Sequence, residues 1–210
     1  MVIEHLVIFL IACLVLVKSS QFAVKSIASI ARYLRINEFI TSFLIVGIIS
    51  TFPEMFVGIV SALKGVSEIG WGTIIGSNIA DLSIVIGLVA LIGGNLHVGS
   101  RIFKYDIFYI MLAALPIILA IDGELSRLDG LALVIVCIVF LCHMVHESYR
   151  FHKMEKKQGD KLILNSIIFI ASIVVIFFSA NAVVKYAHNL AIDFLIPDVF
   201  IGLVLISIGT

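Results

Sequence analysis

The chain has 210 residues, of which 61% are hydrophobic and only 13% are charged. Its mean hydropathy is +1.21, whereas soluble domains average about 45–50% apolar and about 25% charged residues. This composition excludes an ordinary soluble domain and indicates a chain embedded in a lipid bilayer. The net charge is zero, so nothing in the composition suggests a nucleic-acid partner.

Six apolar segments follow one another along the chain. A helix needs roughly 20 residues to cross the hydrocarbon, and a lone spanning segment must satisfy its own backbone hydrogen bonds. We therefore predict an all-α polytopic membrane protein. The segments cover roughly residues 2–31, 37–63, 67–95, 104–121, 128–149 and 162–190, and a further apolar run begins at Val199.

The first apolar segment is predicted to stay in the protein. It lacks a basic region and a small-residue cleavage site, so it resembles a membrane helix more than a removable signal peptide.

The three cysteines, Cys13, Cys137 and Cys142, lie in apolar segments without paired spacing. That pattern favours core packing over a disulfide or a zinc site.

The connecting loops alternate between basic and poorly charged. Basic residues flank the links after the first and third segments, and a run of them fills residues 150–161, whereas residues 188–198 contain no Lys or Arg. The positive-inside rule then predicts that the N-terminus lies outside and that the 150–161 loop is cytoplasmic. We expect the protein in the plasma membrane, with the basic loop acting as a solvated connector.

A weak internal repeat emerges when the chain is shifted by 160 residues without gaps. Ser19 and Lys25 then face Ser179 and Lys185. Five segments separate equivalent points, and an odd number turns the second copy upside down. Inverted repeats are a recurring transporter plan in which the substrate binds near the midplane.

The same register divides the chain and predicts a fragment, because Thr210 pairs with Ser50. We predict a first repeat over residues 1–149, the cytoplasmic loop 150–161, and the start of a truncated second repeat over 162–210. A complete site would then require the missing part of the second repeat. The alternative is a half-length protein that completes its site by dimerisation.

The second segment carries a polar stripe around a proline. Gly47, Ser50, Thr51 and Glu54 fall at i, i+3, i+4 and i+7, which is one face of a helix. Pro53 removes a backbone donor and crowds the carbonyl four residues back. Freed carbonyls, hydroxyls and a carboxylate are oxygen ligands for a hard cation, and an ionisable group deep in a membrane segment is a functional hypothesis by default.

The third segment carries a second polar stripe. Ser77 and Asp81 lie one turn apart with Asn78 beside them, and Gly72 and Gly76 form a small face that permits close helix packing. Calcium takes 6–8 oxygen ligands with variable geometry, and the two stripes together supply such oxygens. The glycine spacing is not a phosphate loop, because the lysine of that motif is missing.

Simpler interpretations remain for each feature. A proline kink with neighbouring hydroxyls is common in membrane helices, and the carboxylates could serve only as contacts between helices. His143, His146 and Glu147 lack the H-E-x-x-H order of a metalloprotease and are expected to have no metal role. No nucleophile or cofactor motif is identifiable, so we expect neither an enzyme nor a bound cofactor.

At these residues the sequence resembles the cation/calcium exchanger superfamily, above all the prokaryotic sodium/calcium exchangers. The family repeats G-T-S-x-P-E on one helix and G-N-x-x-G-S-N-x-x-[ND] on the next. Residues 49–54 and 72–81 match these motifs, and residues 208–210 look like the opening of a second copy. Two departures stand out, since Ile49 replaces the glycine and Asp81 replaces the asparagine usual in the first repeat.

The resemblance implies two inverted five-helix halves and exchange of calcium for sodium by alternating access. Carried over by position, Glu54 is the central calcium ligand. The other positions that it implies are the hydroxyls of Ser50, Thr51 and Ser77 and the backbone carbonyl of Gly47. Calcium and sodium ions and the bilayer are then the expected partners. Calcium/proton exchange, with Asp81 or Glu54 taking up protons, and a scaffold without transport are the two rival hypotheses.

Overall fold

The computed structural model describes residues 2–34, 45–94, 111–112, 114–148 and 162–207, and all regular structure within them is helical. This confirms the predicted all-α membrane architecture. Three of the helical stretches are long and apolar enough to cross a bilayer, namely residues 2–33, 67–93 and 162–194. The helices with both ends described are α1 (Val2–Tyr33), α2 (Val46–Ser50), α3 (Phe52–Leu63), α4 (Ser67–Ala80), α5 (Ile86–Gly93), α6 (Arg127–Ser148), α7 (Leu162–Phe194) and α8 (Asp198–Ile201), with π-helical turns π1 (Asp81–Val85) and π2 (Gly202–Ile206). Residues 114–119 are also helical.

The chain divides into two compact units, one formed by residues 1–89 and 153–210 and the other by residues 90–152. In the second unit, α6 begins with a capping box. Ser126 N–H donates to Asp129 Oδ2 at 2.9 Å, and Asp129 N–H donates to Ser126 Oγ at 3.2 Å. Two of the backbone donors that a helix start leaves without partners are thereby satisfied.

Helices α1 and α7 form the most extensive helix pair of the first unit. His5 near the start of α1 bonds Asp193 near the end of α7 at 2.7 Å. At the other end of the pair, Asn165 Nδ2 donates to Ser29 Oγ at 2.9 Å. The two helices are therefore antiparallel.

Ser19 of α1 and Ser179 of α7 occupy equivalent positions in the 160-residue register. Each hydroxyl donates to the carbonyls three and four residues back, Leu16 and Val15 in α1 and Ile176 and Val175 in α7. The two serines are 7% and 6% exposed. The two serines therefore have the same burial and the same local hydrogen bonding.

Helices α3 and α4 form an antiparallel hairpin closed by a short turn at residues 64–66. A Cβ added to Gly70 would lie only 2.8 Å from the Cα of Gly58. Two glycines thus allow the backbones to meet. Without a hydrophobic force between helices in lipid, such close van der Waals contact is what holds membrane helices together.

Helix α4 also packs against α8 and π2. A Cβ at Gly72 would lie 2.9 Å from Leu203 N, and a Cβ at Gly76 would lie 2.7 Å from Ser207 Oγ. The contact is reciprocal, because a Cβ at Gly202 would lie 2.9 Å from Thr73 N. Gly72 contacts Leu203, and Gly76, one turn further along α4, contacts Ser207, one turn further along the other stretch. The two stretches therefore run parallel.

Candidate functional site

The second apolar segment is broken at Thr51, as Pro53 predicted. Helix α2 ends at Ser50 and α3 begins at Phe52, with proline in its first turn. Thr51 has φ −86° and ψ 3°, and its N–H donates a hydrogen bond to the carbonyl of Ile48 at 3.3 Å. The carbonyl of Ile49 receives no backbone hydrogen bond from residue 53, because proline has no N–H.

Glu54 lies in the first turn of α3, directly after this break. Its side chain is half-buried, and its Oε2 atom is shielded from solvent. Helix N-termini favour negative charge because their unpaired N–H groups carry a partial positive charge. The break therefore holds a carboxylate inside an apolar segment.

The hairpin register places Glu54 about one turn from Ser77 and Asn78. A Cβ at Gly70 would lie 2.8 Å from the Cα of Gly58, so these two glycines are level with each other. Glu54 is one turn before Gly58, and in an antiparallel pair it therefore lies level with the turn after Gly70. Ser77 lies about one turn further along α4, at the level of the break, and Asp81 lies one turn beyond Ser77.

Every hydroxyl and amide of the predicted site donates to its own helix. Each hydroxyl thereby uses its polar hydrogen and keeps its oxygen lone pairs, and the Asn78 amide keeps its carbonyl oxygen as an acceptor. The set can therefore accept a cation and offers little to an anion. The bonds run from Ser50 Oγ to the Gly47 carbonyl at 2.7 Å, Thr51 Oγ1 to the Ile48 carbonyl at 2.8 Å, Ser77 Oγ to the Thr73 carbonyl at 2.5 Å, and Asn78 Nδ2 to the Ile74 carbonyl at 2.8 Å.

Exposure of the predicted residues is uneven in the described residues. Gly47, Glu54 and Ser77 are half-buried, and Ser50, Thr51, Asn78 and Asp81 are exposed. No three His, Cys, Asp or Glu side chains cluster within the described ranges. A cation bound here would therefore need hydroxyl, amide and carbonyl oxygens beside the carboxylates.

Asp81 begins the π-helical turn π1. Such turns are rare and occur frequently at functional sites. A wider turn changes the angle at which the following side chains leave the helix. The sequence analysis predicted the position of Asp81 on the stripe but not this change in helical pitch.

Ser207 is a neighbour of the site that sequence reasoning missed. It is buried against Gly76, and its hydroxyl donates to the Leu203 carbonyl. The 160-residue shift pairs Ser207 with Gly47, a predicted site residue. The repeat could therefore have identified Ser207 as a candidate from the sequence. The parallel contact of α4 with π2 is what brings this residue beside Ser77.

Sequence comparison finds relatives that match nearly the whole chain. The chain is 25% identical over 203 residues to an uncharacterized membrane protein of Methanocaldococcus jannaschii, covering 96% of this chain and 67% of the relative. It is also 25% identical to the inner membrane protein YrbG of Escherichia coli, covering 97% of this chain and 66% of YrbG. The chain thus spans about two thirds of the length of these curated relatives.

A shorter match is more similar. Over 92 residues, 44% of this chain and 26% of the relative, the chain is 34% identical to the sodium/calcium exchanger MaX1 of Methanosarcina acetivorans. No solved structure matches the chain. The family model described as sodium/calcium exchanger protein matches residues 4–145, more than half of the chain. The chain therefore belongs to the sodium/calcium exchanger protein family.

Proposed function

We propose that the protein is a secondary antiporter that exchanges calcium for sodium by alternating access. The observation that carries the proposal is the half-buried Glu54 at the helix break, about one turn from Ser77 and Asn78 in the α3–α4 hairpin. A set rich in oxygen acceptors suits hard cations, which prefer oxygen ligands. The exchanger named among the relatives and the family itself support the same function.

The site residues follow from the two stripes. Glu54 and Asp81 supply charge, while Ser50, Thr51, Ser77, Asn78 and the Gly47 carbonyl supply neutral oxygens. Calcium needs the carboxylates more than sodium does, because it carries twice the charge. Calcium and sodium then compete for the same oxygen ligands, and this competition couples their movements in opposite directions.

We propose further that the site is completed by a second repeat in inverted orientation. Residues 1–149 form the first repeat, residues 150–161 a cytoplasmic loop, and residues 162–210 the start of the second. The antiparallel α1–α7 pair and the matched Ser19 and Ser179 support this division. The basic loop favours an N-terminus outside the plasma membrane.

Calcium/proton exchange is the second candidate, and Asp81 is the observation that favours it. An ionisable side chain at this position can carry a proton, whereas the asparagine usual in the family cannot. Flux into sealed vesicles separates the two functions. The full natural chain is reconstituted, and calcium movement is driven by a sodium gradient at constant pH or by a pH gradient without sodium.

Sodium-coupled exchange requires calcium movement with the sodium gradient and none with the pH gradient alone. Movement with the pH gradient alone would overturn it in favour of proton coupling. Glu68→Gln is the matched control, because Glu68 is an exposed carboxylate at the start of α4, outside the stripes. It should retain the flux of the unaltered protein.

A scaffold without transport makes a different prediction. Its carboxylates would serve only as helix contacts, so calcium would not alter thermal stability. An exchanger should be stabilised by calcium, because a ligand that binds only the folded state raises its stability. Equal unfolding temperatures with and without calcium, together with absent flux, would favour the scaffold.

A further inference from the structure

Two lysines lie together at one end of the α3–α7 surface, away from the candidate cation site. Lys64, in the turn after α3, donates from Nζ to the Asn181 carbonyl of α7 at 2.8 Å. Lys185 is four residues beyond Asn181 on the same helix, and residues four apart share a face. The two ammonium groups therefore gather within about one helical turn of each other.

In the part of the chain that the structure describes, no acidic side chain matches these two charges. No carboxylate in the described residues forms an ion pair with either lysine. Lys185 Nζ lies 5.6 Å from the Tyr186 ring centroid, which is a cation–π contact, and both lysines are exposed. Partial desolvation and the nearby positive charge of Lys185 lower the pKa of Lys64. An anion between them would relieve the repulsion.

Apolar side chains continue from these lysines along both helices. On α7, Val174, Phe177 and Phe178 share the face of Asn181, because they precede it by seven, four and three residues. On α3, Leu63 is 76% exposed beside Lys64, and Phe178 on α7 is 66% exposed. The surface is therefore apolar along its length and basic at its end.

The two halves of this surface form one continuous strip. The rings of Phe56 on α3 and Phe177 on α7 meet edge to face with centroids 6.4 Å apart. Helices α3 and α7 pack against each other within the same compact unit. An extended molecule could thus lie over both helices with one end at the lysines.

We propose that this surface binds an anionic phospholipid of the bilayer. Its phosphate lies between Lys64 and Lys185, and its acyl chains cover Leu63 and Phe178. Charge complementarity and the order of the surface, basic end and apolar length, match the order of a phospholipid. Tyr186 beside the lysines fits the headgroup level, where tyrosine is enriched in membrane proteins.

The test uses the full natural chain in neutral detergent. Native mass spectrometry and thermal unfolding compare phosphatidylglycerol, phosphatidylcholine and inorganic phosphate. The unaltered protein should bind phosphatidylglycerol more tightly than phosphatidylcholine and gain stability from it. Each lysine near a membrane surface contributes about a fivefold preference for anionic lipid, so Lys64→Gln with Lys185→Gln should lose most of that preference.

Matched variants sharpen the result. Lys25→Gln removes an exposed lysine at the position equivalent to Lys185 on α1 and should keep the lipid preference. Lys64→Arg with Lys185→Arg should keep it too, because arginine retains the charge. If the double glutamine variant fails to fold, Lys185→Gln alone leaves the Asn181 contact intact and should still weaken the preference about fivefold.

Three outcomes would overturn the proposal. The glutamine variants could keep the full preference for phosphatidylglycerol. Phosphatidylglycerol and phosphatidylcholine could bind equally, which would show that the surface does not recognise the headgroup charge. Inorganic phosphate could reproduce the stabilisation, which would make this a site for a soluble anion and not for a lipid.

Discussion

Gly76 of α4 lies against Ser207, so that a Cβ at position 76 would be 2.7 Å from the serine Oγ. This contact joins the third apolar segment to the last stretch of the described chain. It is possible only because α4 has no side chain there. Ser77, the next residue, is a candidate ligand, so the same contact sets the surroundings of the proposed site.

Gly72→Ala should destabilise the protein. The added Cβ would lie 2.9 Å from Leu203 N and closer still to the Val199 carbonyl, which are backbone atoms that cannot rotate away. Overpacking of this kind costs about 1–3 kcal/mol. Thermal unfolding in detergent measures the effect. Gly87→Ala is the control, because nothing lies within 4 Å of its added Cβ in the described residues, and it should be neutral or stabilising.

Glu54→Gln should weaken calcium binding. It keeps the size of the side chain and removes the charge that a divalent cation needs. We expect the calcium affinity to fall about tenfold or more, which corresponds to about 1.4 kcal/mol of binding free energy. Calcium titration of the unfolding temperature measures it. Unchanged calcium affinity in Glu54→Gln, with Glu68→Gln also unchanged, would contradict the proposed role.

Asp81→Asn should separate the two coupling ions. If Asp81 carries a proton, the variant loses calcium movement driven by a pH gradient. If the site is sodium-coupled, the variant keeps sodium-driven exchange, because asparagine still offers an oxygen ligand. Vesicle flux under each gradient decides between them. Loss of both fluxes in a folded variant would instead make the Asp81 charge essential to cation binding.

Pro53→Ala should close the break in the second segment. Alanine restores a backbone donor that can reach the Ile49 carbonyl, and α2 and α3 can then join through Thr51. We expect thermal stability to be unchanged or higher and exchange to fall, because the oxygen ligands are realigned. Pro116→Ala changes a proline in a helical stretch of the other unit and should leave exchange intact. Full exchange in Pro53→Ala would show that the break is not needed.

Much of the fold followed from periodicity and composition. The apolar runs predicted α1 and α7 to within a few residues, because a helix in lipid must satisfy its backbone internally. The proline at position 53 predicted the break, since its missing N–H acts on local geometry alone. The π-helical turn at Asp81 was not predictable, because the residues around it have no local signal for a wider turn.

The sequence by itself determined the membrane class, the helix break and the two polar stripes, since each depends on side chains close together in the chain. Only the tertiary structure decided that Gly76 meets Ser207 and that Lys64 reaches the Asn181 carbonyl. These contacts join residues more than a hundred positions apart. They depend on which helix faces pack together, and in lipid that choice is made by backbone fit and small residues and not by hydrophobicity, which every face shares.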